Sequence, residues 1–268
     1  LLRALAGRPF DNNRFAASGQ VTINQGKYCR SSAWHRKIGF VQRTDELYSQ
    51  LTVRENIFFT GKLRTNAPDA LIDQLLEAWK ISHLSTVKTG NVDSEILSVG
   101  SRKRVSCAIN TVHNPDVLFL DEPTVSLDPK RAEEFIKDLQ RFAQISRIIV
   151  IVSINPVRGS IFGTFTSIML LCHGQTVFFG TADAALDHFQ RCLGYPYRQH
   201  QNQSDYLIDI VALDPGTEAR HEDLDQLRNR LAESWRECPY FRLPTYEQYD
   251  SAICRSKCRT WPNSWAVE

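Results

Sequence analysis

Two short runs, Val117–Leu120 (VLFL) and Ile148–Ser153 (IIVIVS), constrain this chain most. A strand that is apolar at successive positions is covered on both faces, which is the habit of parallel sheets packed between helices. Both runs are therefore expected to be fully buried strands. Pro129 to about Gln144 lies between them and reads as a helix, with proline at its favoured first position. Buried strands alternating with helices define an α/β domain with a largely parallel sheet. Lys37–Gln42 is a further short strand. Gly19–Asn24 alternates like a strand, with Gln25-Gly26 as its turn. Residues 1–7 read as the end of a helix closed by Gly7.

Residues 43–115 read as a helical insertion between strands of that sheet. Thr52 and Glu55 form a capping box at the head of a helix reaching Arg64. Asp69–Trp79 puts Leu71, Ile72, Leu75, Leu76 and Trp79 on one face. Ser98 or Ser101 caps a third helix that Asn114-Pro115 ends. Downstream, Ile168–Leu171 and Val177–Phe179 flank a turn at His173-Gly174-Gln175, and Thr181 caps a helix to Cys192. Beyond about Leu213 the composition reads as a helix followed by a proline-bearing linker. Trp34, Trp79 and Trp235 are expected in the core or at an interface rather than stacked on a ligand.

Lys plus Arg is 32 and Asp plus Glu is 30, so the net charge is 32 − 30 = +2, which gives no electrostatic case for nucleic-acid binding. No apolar run approaches the ~18 residues of a membrane-spanning helix. Seven cysteines, an odd and scattered set, fit reduced thiols better than a disulfide framework. Cys254 and Cys258 could share a helix face, but a metal site would need two more ligands nearby. The chain opens on Leu1 and has one methionine, Met169, so a processed, trimmed or partial chain is expected.

The chemistry concentrates at Asp121-Glu122, where an apolar strand delivers adjacent carboxylates to its C-terminal edge, the ligand edge of an open α/β sheet. There one carboxylate can hold Mg²⁺ through water while the other orients or deprotonates an attacking water, the Walker B arrangement of nucleotide hydrolases. Two solvated acids at a strand end is the bland alternative. Gln42 ends the neighbouring strand with an amide that can ligate a metal or sense a phosphate. Leu97–Arg104 starts a helix at a Ser/Gly turn, whose free N–H groups suit a phosphate. Arg102-Lys103-Arg104 behind it reads as a solvated helix face, with phosphate or partner contact as the second reading. The seven histidines show no ligand spacing.

In this order the motifs resemble the ATP-binding cassette of ABC transporters. The resemblance implies a P-loop NTPase-like α/β fold, mostly parallel with flanking helices and an inserted helical subdomain at 43–115. Gln42 matches the Q-loop, Leu97–Ser101 the signature, Asp121/Glu122 the Walker B pair, Ser126-Leu127-Asp128 the D-loop and Asn155 the switch position. Leu51–Asn56, Arg102–Ser106, Gly194-Tyr195-Pro196 and Asn202–Asp209 are similar to the G (White) subfamily of half-transporters. Ser251–Cys254 is similar to the sterol-exporting half-transporters of that subfamily. The resemblance implies Glu122 as general base, with Asp121 and Gln42 toward Mg through water. It further implies that Ser98, Gly100 and Asp128 serve ATP sites of a two-chain sandwich. ATP and Mg are the implied cofactors, and another G-type half-transporter is the implied partner, as a heterodimer or homodimer. The implied work is export of sterols or other lipids, from the cytosolic face of a membrane. The implied domains are 1–213, a nucleotide-binding domain without its Walker A part, and 214–268, a linker toward a transmembrane domain.

The chain also departs from that pattern. Walker A requires G-x-x-x-x-G-K-[ST]. The nearest stretch, Gly19 to Gly26-Lys27-Tyr28, has six residues between its glycines and Tyr28 for the hydroxyl. A start just downstream of the phosphate loop is therefore expected. Val99 stands where the family has glycine, and a β-branched side chain hinders close approach to a phosphate. Asn155 replaces the switch histidine; it can donate a hydrogen bond but carries no charge. These departures carry a second reading, a catalytically degenerate pseudo-ATPase subunit with a regulatory or structural role. A soluble ABC ATPase of DNA repair or translation would bring a coiled coil or a second cassette, which this sequence lacks.

Overall fold

A computed structural model describes residues 1–8, 22–23, 26–27, 32–91, 96–154, 159–172, 174–198, 201–212 and 221–237. They form two compact units, Leu1–Asn155 and Pro156–Lys257. The first contains α1 (Leu2–Leu5), β1 (Thr22–Ile23), β2 (Gly26–Lys27), α2 (Ser32–His35), β3 (Ile38–Val41), α3 (Val53–Thr65) and α4 (Asp69–Ala78). It continues with α5 (Val99–Thr111), β4 (Val117–Asp121), α6 (Pro129–Ser146) and β5 (Ile149–Ser153). β1 and β2 pair antiparallel, so Gly26 is a strand residue rather than the turn residue expected.

The central sheet is parallel, in the order β3-β4-β5. All four residues of β3 and the first four of β4 are buried. On one face Ile38, Phe40, Val117 and Phe119 pack with Ala6 and Trp34. On the other, α5 approaches so closely that a Cβ on Gly39 would lie 2.3 Å from the carbonyl oxygen of Asn110. Only glycine admits that contact. β5 departs from the fully buried strand expected: Ile149 is 62% exposed and Val150–Ser153 are half-buried. Among the described residues β5 is an edge of the sheet, as is the fully buried β3, so edge position alone does not account for the difference, and an apolar run does not reveal what covers its two faces.

The helices between β3 and β4 form as their end signals require. Thr52 accepts from the Glu55 amide while Glu55 accepts from the Thr52 amide at 2.7 Å, a closed capping box. Of the two candidate serines, Ser98 caps α5, accepting from the Ser101 amide at 3.2 Å. Leu71, Ile72, Leu75 and Leu76 of α4 are buried. Trp79 stacks on Phe142 of α6 at 4.6 Å and donates to Thr111 of α5, tying three helices together.

The second unit holds α7 (Gly159–Phe162), an antiparallel hairpin of β6 (Ile168–Cys172) and β7 (Gln175–Gly180), and α8 (Ala182–Asp187), which Thr181 caps. A π-helical turn at His188–Cys192, α9 (Gln203–Ala212) and α10 (His221–Glu237) complete it. Phe178, Phe189, Leu207, Leu231 and Trp235 form its core. Trp34, Trp79 and Trp235 are all buried, as expected. No helix among the described residues is long and apolar enough to cross a membrane. Cys107 and Cys172 are free thiols. Cys254 and Cys258 lie outside the described residues.

Candidate nucleotide site

Parallel register decides where the functional side chains meet. Val41 pairs with Leu120, and Asp121 pairs with Ser153. Gln42, Asp121 and Ser153 therefore emerge side by side at the C-terminal edge of the sheet, where open α/β sheets bind ligands. The Ser153 hydroxyl donates to Asp121 at 2.7 Å and accepts from the Glu122 amide at 2.9 Å. One β5 side chain thus fixes both the first carboxylate and the backbone that presents the second. Glu122 has φ +42° and Ser126 φ +67°, left-handed conformations that cost non-glycine residues energy and cluster at functional sites.

Arg43, the residue after Gln42, ion-pairs with Glu122, with Nε 3.2 Å from Oε2. Gln42 accepts a long contact from Arg3 at 3.5 Å. The loop that carries both is gripped from behind. Lys103 of α5 donates to the carbonyls of Gln42 and Arg43, each at 3.0 Å, and pairs with Asp45 at 2.8 Å. Asp45 also accepts from Ser106 at 2.7 Å. Arg102 turns the other way and donates to the carbonyls of Thr89 and Gly90 at 2.7 and 3.1 Å. Arg104 pairs with Asp138 of α6 at 2.6 Å.

The basic run at 102–104 is thus not the solvated face expected. Lys103 is 2% exposed and Arg102 5%, because each has carbonyl or carboxylate partners inside the fold. The signal for this was present in the sequence. Lys103 lies one helical turn before Cys107, and Ser106 continues the same inward side.

The remaining expected residues are placed as follows. Ser98 and Gly100 open α5, and a Cβ on Gly100 would be 3.6 Å from Leu127, so the signature turn lies against the D-loop. Val99 is exposed there. Asp128 caps α6, accepting from the Arg131 amide at 3.0 Å. Asn155 lies outside the described residues. The structure thus brings together Gln42, Asp121 and Glu122. Arg43, Lys103 and Ser153 join them, and the sequence alone had not marked those three.

Mg²⁺ favours oxygen ligands and keeps several waters, usually bound by one or two carboxylates plus substrate phosphates. The Asp121 carboxylate and the Gln42 amide oxygen suit that preference. Among the described residues no group of three His, Cys, Asp or Glu side chains forms a metal site by itself. An ion here would thus rely on the nucleotide and water for its other ligands.

A parallel sheet with paired acids and a glutamine at its ligand edge, next to a helix that opens on Ser-x-Gly, fits an ATP-binding cassette. Residues 1–125 match the ABC transporter family. ATP-binding cassette sub-family G member 5 of Rattus norvegicus is 32% identical over 230 residues, covering 84% of this chain and 34% of that protein. Sub-family G member 8 of the same organism is 29% identical over 220 residues, covering 80% and 31%. ABC transporter G family member 7 of Arabidopsis thaliana is 33% identical over 220 residues, covering 80% and 30%. The chain belongs to the ABC transporter family, in its G branch. It spans about a third of the length of the curated relatives it matches.

Proposed function

We propose that this chain is the ATP-hydrolysing domain of a G-type half-transporter that exports sterols or other lipids. It would work at the cytosolic face of a membrane, paired with a second G-type half-transporter. The observation that carries the reading is the common edge of Gln42, Asp121 and Glu122, fixed by Ser153. Asp121 and Gln42 would hold Mg²⁺ through water, and the bound ion would offset the charge of the phosphates. Glu122 would accept a proton from the water that attacks the γ-phosphate. Ser98 and Gly100 would meet the nucleotide held by the partner cassette, with Asp128 beside that junction. Asn155 would donate a hydrogen bond to the γ-phosphate.

The test is ATP turnover by the product of the full open reading frame, expressed with a G-type partner. Glu122→Gln keeps the shape and removes the base, so turnover should fall roughly 10²-fold or more. Turnover unchanged in that variant would refute Glu122 as the base. Efflux of labelled cholesterol from the same cells tests the substrate class.

A further inference from the structure

A cleft of about 270 Å³ opens beside the loop after β3, between α3 and α5. Two guanidiniums share its wall, Arg8 just after α1 and Arg64 in the last turn of α3. Arg8 lies 4.7 Å over the ring of Phe40. Arg64 donates to Nδ1 of His113 at 3.2 Å. Neither makes an ion pair with a carboxylate among the described residues. Their positions are costly for cations. Burial pulls both guanidiniums below their ordinary pKa, and the charge of Arg64 lowers Arg8 further. Glu46 is the acidic residue of the wall and partly offsets Arg8. Two arginines against one glutamate leave the wall a formal charge of +1.

The geometry points to an anion site in this cleft, in which Arg8 and Arg64 together hold a phosphate group. Guanidinium forks match phosphate oxygens bidentately, and a bound anion replaces the mutual repulsion of the two cations with attraction. Thr44 adds a hydroxyl to the wall. The phosphate comes from one of two sources, a dissolved phosphate or the headgroup of an acidic phospholipid. Asp121 and Glu122 do not line the cleft, but Gln42 does, so the anion site shares one wall residue with the candidate nucleotide site, and Arg8 and Arg64 are the residues that separate the two in the test.

The 268-residue chain serves for the test. Inorganic phosphate is titrated by calorimetry, and vesicles of phosphatidylcholine with and without phosphatidic acid are tested by co-sedimentation. Saturable phosphate binding is expected, weakened at least tenfold by Arg8→Gln and by Arg64→Gln and recovered in part by the lysine variants. Glu46→Gln should tighten it several-fold, a gain that misfolding cannot produce. Retention on phosphatidic acid vesicles, lost in both glutamine variants, identifies the lipid as source. Phosphate binding with indifference to vesicles identifies the dissolved anion. No saturable binding of either probe, or binding that both glutamine variants leave unchanged, overturns the inference.

Discussion

Replacing Lys103 with methionine keeps the unbranched stem and removes the charge. In the native chain this ammonium meets three oxygens within 3.0 Å, the carbonyls of Gln42 and Arg43 and the carboxylate of Asp45. The side chains of Lys103 and Asp45 are 3% and 9% exposed. Removing one member of a buried pair costs about 3–5 kcal/mol, because the other is left buried and uncompensated. Asp45 would keep its bond from Ser106, and the loop carbonyls are open enough for water to replace the lysine. About 3 kcal/mol, the lower end, is therefore expected. Urea unfolding of the wild type and Lys103→Met measures it. Asp45→Asn in the Lys103→Met background should recover much of the loss, since the stranded charge is then gone. The loop itself should loosen, and tryptic cleavage after Arg43 reports that directly. A cost of about 0.5 kcal/mol or less, the range of ordinary surface substitutions, would refute the reasoning.

Gly39→Ala should destabilise by about 3 kcal/mol, since its Cβ would collide with the backbone carbonyl of Asn110, which cannot step aside as a side chain could. Gly163→Ala, with nothing within 4 Å, is the neutral control in the same unfolding assay. His113 is pushed down to about 4 by burial first and by the charge of Arg64 second. Its Nε2 donates to the Ile38 carbonyl at 2.9 Å, leaving Nδ1 as acceptor for Arg64, which only the neutral ring allows. A base whose folded pKa is depressed binds fewer protons folded than unfolded, so its contribution is complete above pH 6.5 and is lost as pH falls toward 4. Wild type should lose about 3 kcal/mol more than His113→Gln across that window. Equal losses in urea unfolding at the two pH values would refute the assignment.

The pieces that the sequence disclosed are those set by neighbours along the chain. The capping box at Thr52, a serine cap at Ser98 or Ser101 and the proline opening α6 depend on three or four adjacent residues. β4 reads correctly as a buried strand from its four consecutive apolar residues. The misreadings come from long-range partners. Lys103 reads as solvated from its charge, although its place one turn before Cys107 marks the inward side; its partner Asp45, 103 − 45 = 58 residues earlier, is what the sequence does not show. β5 looks buried because its residues are apolar, yet β3, also an edge strand, is buried and β5 is not, so the difference lies in what covers the faces, which is not written in IIVIV. The site divides the same way. Asp121 and Glu122 followed from a strand end, whereas Ser153 and Arg43 could be recruited only once β5 and β3 flanked β4.

The relative strengths of these contacts say how the site responds to strain. A continuous path runs from the first turn of α5, through Lys103 to the carbonyls of Gln42 and Arg43, and from Arg43 to Glu122. Its inner link is buried and multiply bonded. Its outer link is open to solvent, with the Arg43 side chain 62% exposed and that of Glu122 26%. Exposed pairs are worth about 0.2–1 kcal/mol, against about 3 kcal/mol for the grip of Lys103. A shift of α5 therefore carries the loop with it and breaks the path at Glu122. The carboxylate does not follow, because Ser153 holds its backbone amide from the other side. Arg43 can withdraw from Glu122 at small cost while the Walker B backbone stays where β4 and β5 put it.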